Sequence, residues 1–160
     1  GEGDRSGHLI AQPYIPGFAA SVAFLVGPTT SIPLVPCEQI LSRDGQFHYL
    51  GGRLPLAPNL ATRAIRIATA AIACVPNLLG YVGVDIILGD DGRDWAIEIN
   101  PRLTTSYIGL RALARFNIAA IMLAVLRNDA VPHLEWHERT IAFTPTVVEV
   151  TSTTVPPPPA

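Results

Sequence analysis

Lysine is absent from this 160-residue chain; all 11 basic residues are arginines. Charge of any kind is scarce, at 15% of residues, and the net charge is −2 at pH 7. No basic cluster exists that could follow a phosphate backbone, so nucleic acid is not an expected partner. Only two cysteines occur, Cys37 and Cys74, far apart and outside any metal-like spacing. Reduced thiols are the plain reading. Neither has a histidine or a basic side chain beside it to lower a thiol pKa, so both are expected to be buried and structural. Long apolar runs are also missing. The longest, residues 118–126, falls well short of the roughly 20 residues a spanning helix needs, so no membrane segment is expected. No leader stands out, and the expected compartment is the cytoplasm.

What the chain has in quantity is apolar surface: 49% hydrophobic residues and a mean hydropathy of +0.34. This describes one domain with a sizeable core and a surface that other protein covers, a homo-oligomer being one way to cover it. Residues 1–8 (GEGDRSGH) are polar and glycine-rich and read as a lead-in or a cut end. Strand-like runs follow at 9–15, 21–26, 32–41 and 47–50, separated by Gly, Pro and polar turns. Asn59 can cap a helix over 60–75 whose apolar face is Ala61, Ala64, Ile65, Ala68, Ala71, Ile72 and Val75, with Arg63 and Arg66 outward. A second helical stretch, 104–126, buries Tyr107, Leu110, Leu113, Ala114, Ile118, Ile121, Met122 and Val125, with Asn117 marking a kink or a break. A last strand, 141–150, precedes a proline-rich tail, 151–160, that cannot build a core and is expected to be disordered. The expected fold is α+β, an antiparallel sheet with helices on one face.

The chemistry gathers in residues 80–106. Val82, Val84, Ile86 and Leu88 alternate with Gly83, Asp85 and Ile87 before the turn Gly89-Asp90-Asp91-Gly92. On the return, Trp95, Ile97 and Ile99 alternate with Ala96, Glu98 and Asn100. Side chains on a strand point to opposite faces in turn. Pairing Leu88 with Arg93 sets Asp85 opposite Ala96 and Gly83 opposite Glu98. Asp85, Glu98 and Asn100 then share one face, and a one-residue slip would drive carboxylates into the core. Two carboxylates and an amide beside a glycine suit a hard cation such as Mg²⁺; an ordinary solvated sheet face is the competing reading. The strand then runs into Pro101-Arg102-Leu103-Thr104-Thr105-Ser106 and a helix. That turn collects a guanidinium, hydroxyls and helix N-terminal amides, all anion binders. It also serves as a capped helix start, with Thr104 or Thr105 as cap.

The stretch GYVGVDIILGDDGRDWAIEINPRLTTSYIGL resembles the C-terminal half of the ATP-grasp ligases, and residues 9–127 carry the resemblance. Within that superfamily it looks most like the group of tyramine–glutamate ligase and related carboxylate–amine ligases. The resemblance implies ATP as a ligand. Asp85, Glu98 and Asn100 would be ligands for Mg²⁺ (or Mn²⁺), and Arg102 the catalytic arginine that steadies a phosphate or the activated carboxylate. It also implies that Gln12, Pro13, Tyr14 and Ile15 form the hinge beside adenine. There the Pro13 carbonyl would accept from the exocyclic amine and the Ile15 N–H would donate to the ring. Ile87 and Ile97 match aliphatic positions near the base. The implied reaction joins a small carboxylate to an amine through an acylphosphate. The resemblance makes residues 9–150 the C-terminal domain and leaves an N-terminal ATP-grasp half outside the chain, as part of the same gene product or a separate chain. Such enzymes carry phosphate-gripping lysines in that other half. Their absence here supports a second reading, a nucleotide-binding module without catalysis. His133 and His137, at i and i+4, read as a surface loop for want of a third ligand. Arg53 is read either as a ligand contact or as a turn residue, and Arg111 as a helix-face residue or a substrate-carboxylate contact.

Overall fold

The computed structural model describes residues 13–151. Strands β1 (Phe18–Val26), β2 (Ser31–Pro33), β3 (Cys37–Leu41) and β4 (Tyr49–Leu54) precede helix α1 (Pro58–Ala73). The hairpin β5 (Gly80–Leu88) and β6 (Asp94–Asn100) follows, then helices α2 (Ser106–Leu113) and α3 (Ile118–Arg127), and strands β7 (Thr140–Phe143) and β8 (Val148–Thr151). The strands form one antiparallel sheet in the order β6-β5-β1-β3-β4-β7-β8, with β2 paired to β1.

The α+β class and the antiparallel sheet are as the sequence implied, and the helices divide between the two faces. The cause lies in β1, where Ala20 through Val26 are buried without alternation. Ala20, Val22, Phe24 and Val26 join Val82, Val84, Ile86 and Leu88 under Ala64, Ala68 and Ile72 of α1. Ala23 and Leu25 turn the other way, to Leu110 and Leu113 of α2 and Ile118, Ile121 and Val125 of α3. A strand apolar at both parities requires cover on both sides. Gly109 permits the close approach of α2, since a Cβ there would lie 2.5 Å from both Leu54 Cδ2 and Phe143 Cδ1.

Several boundaries differ from expectation. The run 32–41 is broken by Pro33 and Pro36, which cannot donate to a ladder, into β2 and β3. Helix α1 starts at Pro58, whose fixed φ suits the first helical turn, so Asn59 lies inside the helix and does not cap it. Its last turn ends at Ala73, leaving Val75 exposed. The long second helix is two helices, and the break falls at Asn117, whose side chain accepts from the Ala120 N–H to cap α3. The last strand is a hairpin, β7 and β8, and Thr151 belongs to β8. Residues 152–160 and 1–8 lie outside the described residues, as does the start of the 9–15 strand; the rest of that run, 13–15, is not in a strand.

Candidate functional site

Strand pairing builds the site as a row. Ser21 of β1 lies opposite Asp85 of β5, and Asp85 lies opposite Glu98 of β6. Gly83 and Asn100 form the next rung on the same face, beyond Val84 and Ile99. The expected face-sharing of Asp85, Glu98 and Asn100 is therefore present, through a different register. Leu88 pairs with Asp94, Ile87 with Trp95 and Ile86 with Ala96; the ladder then shifts, so that Asp85 meets Glu98. The shift is a β-bulge with Ile97 as its extra residue. Trp95 and Ile97 are consequently not core residues; they are 44% and 50% exposed. Asp94, by contrast, lies on the α1 face.

Ten residues, Asp85, Glu98, Asn100 and Arg102 among them, line a cavity of about 200 Å³. Gln39 Nε2 donates to Asp85 Oδ1 at 2.9 Å, and Asn100 Nδ2 donates to Asp85 Oδ2 at 3.3 Å. Arg102 donates to Asn100 Oδ1 at 3.1 Å and to the Leu103 carbonyl at 3.2 Å. Burial pushes the Asp85 carboxyl above its ordinary pKa, the charge of Glu98 pushes the same way, and Gln39 and Arg102 offset part of it. Beyond Asn100 the wall is hydroxyl-rich. Thr104 Oγ1 and Ser106 Oγ are 2.8 Å apart, and the buried Tyr81 OH lies 3.4 and 3.3 Å from them. Neither Thr104 nor Thr105 caps α2 with its side chain. Gly83 is required beneath this wall, because a Cβ would sit 2.5 Å from Thr104 Cγ2.

The donor set fits a hard divalent cation. Two facing carboxylates, one half-buried, form an incompletely neutralised negative centre, beside which Asn100 turns its amide nitrogen to Asp85 and its oxygen to Arg102. Among the described residues no group of three His, Cys, Asp or Glu could hold a metal by itself. Two carboxylates and an amide leave coordination positions for water and ligand oxygens, the habit of Mg²⁺.

Of the residues expected around a base, Gln12 lies outside the described residues, and Pro13, Tyr14 and Ile15 lead into β1 without joining a strand. Tyr14 is exposed and stacks on Phe47, with ring centroids 5.6 Å apart. Ile87 is half-buried on the site face, and Gly17 passes so close that a Cβ there would meet Ile87 Cγ2 at 2.8 Å. The segment after the lead-in, at Gly17, thus meets Ile87, while Ile97 stands at the bulge.

Sequence reasoning missed Ser21, Gln39 and Tyr49. Ser21 carried a signal, as the sole polar side chain in FAASVAFLV. Gln39 and Tyr49 carried none, because which strands neighbour β5 is a matter of topology. Burial raises the Tyr49 phenol far above its usual pKa, so it remains a neutral O–H. Cys37 is buried as expected and its thiol is pushed up to about 12, mainly by that burial. Cys74 is exposed, contrary to expectation, because α1 ends just before it. Arg63 and Arg66 are not a purely solvated helix face; both bind Asp94. Arg53 lies in β4, 3.9 Å from Glu38, and Arg111 lies outside the cavity, on α2. His133 and His137 are exposed and lie outside any helix.

A model of the ATP-grasp domain matches residues 2–106. The chain belongs to the ATP-grasp family. Tyramine–L-glutamate ligase of Methanocaldococcus jannaschii is 36% identical over 104 residues, which are 65% of this chain and 32% of that protein. An Archaeoglobus fulgidus protein assigned to the ATP-grasp superfamily superposes with a TM-score of 0.63 at 27% identity, over 88% of this chain and 47% of its own. The L-amino acid ligase of Bacillus licheniformis shares the fold, with a TM-score of 0.67 at 15% identity, over 81% of this chain and 35% of its own. This ATP-grasp chain spans about a third of the length of the curated relatives it matches. Among its described residues no helix is long and apolar enough to cross a membrane.

Proposed function

We propose that this chain is the metal- and phosphate-binding portion, residues 9–150, of an ATP-dependent ligase of the cytoplasm that joins a small carboxylate to an amine. The observation that carries the reading is the Asp85–Glu98 pair, closed by Asn100 and Arg102 in one cavity. Asp85, Glu98 and Asn100, its amide turned so that Oδ1 faces the carboxylates, would hold Mg²⁺, or Mn²⁺ in its place. The cation would neutralise charge on the ATP phosphates. Arg102, with a guanidinium that cannot deprotonate, would steady the phosphoryl group in transfer. The base would lie towards Ile87 and Ile97, against the lead-in from Gln12 to Ile15.

In the reaction, a substrate carboxylate oxygen attacks the γ-phosphorus and ADP leaves. The amine nitrogen then attacks the acylphosphate carbon, phosphate leaves with the C–O bond, and the nitrogen loses a proton to give the amide. Such transfer rests on positioning and charge stabilisation rather than on a side-chain nucleophile. The family match, the ligase relatives and the oxygen-rich cavity support this reading. The second wall of the nucleotide site, with any lysines, would come from the N-terminal ATP-grasp half. The absence of lysine favours one alternative, a nucleotide-binding module without catalysis, which would show no ADP release when that half is supplied.

Calorimetric titration of the 160-residue chain with ATP, with and without Mg²⁺, tests the site. ATP binding should require Mg²⁺, and Glu98→Ala should lose that dependence while its circular dichroism is unchanged. Equal Mg²⁺ dependence in the folded variant would remove Glu98 from the metal site.

A further inference from the structure

Asp94, Glu98 and Asn100 have the same parity in sequence, so on a regular strand all three would point to one face. They do not. Asp94 lies opposite Leu88 on the α1 face, while Glu98 and Asn100 lie opposite Asp85 and Gly83 on the site face. The extra residue Ile97 is what separates them. Without the bulge, a strand that buried Asp94 against α1 would carry Glu98 and Asn100 into the apolar layer with it.

The partners of Asp94 explain why that end of the strand is held where it is. Its side chain is only 1% exposed. Oδ1 accepts from Arg63 NH2 at 2.6 Å and from Arg63 Nε at 3.1 Å, and Oδ2 accepts from Arg66 NH2 at 2.7 Å. Arg63 also donates to the Gly89 carbonyl at 2.7 Å, tying α1 to the hairpin turn itself. In the unbulged alternative, Leu88 pairs with Arg93. Arg93 would then point at α1 beside Arg63 and Arg66, three like charges together, and Asp94 would leave its two partners. Asp85 would face Ala96, and Glu98 would move to the rung of Gly83.

From this geometry we infer that Asp94, clamped by Arg63 and Arg66, is the positioning residue that sets the hairpin register and so places Glu98 opposite Asp85. It acts on the site from the far face of the sheet, touching neither metal nor phosphate. The effect on metal binding rests on the proposed function; the register itself does not.

The experiment is NMR of the labelled chain without ligand, reading which backbone protons lie across from each other. The unaltered chain should show contacts between residues 85 and 98 and between 84 and 99. In Asp94→Ala, and independently in the double variant Arg63→Gln/Arg66→Gln, these should give way to contacts between 85 and 96. Trp95 should move to the α1 face in both, with its emission shifting to the blue. Asp94→Glu, which keeps the carboxylate, should keep the original contacts. Mg²⁺-dependent ATP affinity should fall by about 10- to 100-fold in the shifted variants, the range expected when a ligand's support is removed. Retention of the 85–98 contact in both Asp94→Ala and the double glutamine variant would overturn the inference. Failure of the unaltered chain to bind ATP with Mg²⁺ would count against the proposed function alone, since the register is read without ligand.

Discussion

Asp85 is where the cost of the site is concentrated. Burial and the facing Glu98 raise its folded-state pKa above the unfolded value, so the native chain holds its proton to higher pH than the unfolded chain does. Stability then falls as pH rises through the interval between the two values, and the penalty is complete above the folded pKa. Asp85→Asn removes that penalty and can keep a hydrogen bond to Gln39. In the absence of divalent cations this variant should melt higher than the parent at pH 7. The difference should shrink on acidification below the unfolded carboxylate range, as followed by thermal denaturation across pH. The same variant should lose Mg²⁺-dependent ATP binding, and an unchanged or lower melting temperature at pH 7 would contradict the account. The carboxylates themselves were readable from strand alternation. Gln39, which carries part of the compensation, was not, because nothing local links β3 to β5.

Helix caps show how far local signals reach. Asn117 follows a helical stretch and precedes an apolar one, and its side chain does cap α3. Asn59 offered the same signal for α1, but the helix has already begun at Pro58. Asn117→Ala should therefore cost about 1 kcal/mol in urea unfolding. Asn59→Ala should stay within about 0.5 kcal/mol of the parent, as an exposed substitution without a special role. Equal losses at the two positions would mean that the caps are misassigned. The hairpin β5–β6 teaches a related lesson. Alternation showed that Asp85, Glu98 and Asn100 share a face, yet the register that achieves it includes a bulge, whose phase shift is hidden because Trp95 and Ile97 are apolar though exposed.

Both apolar layers of the molecule depend on β1, which supplies Phe24 to one and Leu25 to the other. Phe24→Ala should cost about 3–5 kcal/mol and Leu25→Ala about 2–5 kcal/mol. Each should lower the midpoint of the whole chain rather than melt one side. Trp95 lies on the edge strand β6, and Trp136, which packs edge-on against Phe116 at 5.0 Å, lies beside the α2–α3 layer. Single-tryptophan versions should unfold with coincident midpoints, as a cooperative domain requires. Separated midpoints would show the β6 edge and the α2–α3 layer to be independent units.

Periodicity and neighbouring residues already carried the α+β class, the hairpin, the shared face of Asp85, Glu98 and Asn100, a kink or break at Asn117 and the resemblance to ATP-grasp ligases. Tertiary structure alone decided which strands flank β5, that α1 and the α2–α3 pair take opposite faces, and that Ser21, Gln39 and Tyr49 join the cavity. It also decided that Arg63 and Arg66 turn from apparent surface residues into the partners of a buried Asp94. Each of these joins residues far apart in sequence. Their energy is realised only when the sheet has closed, so no local pattern could record it.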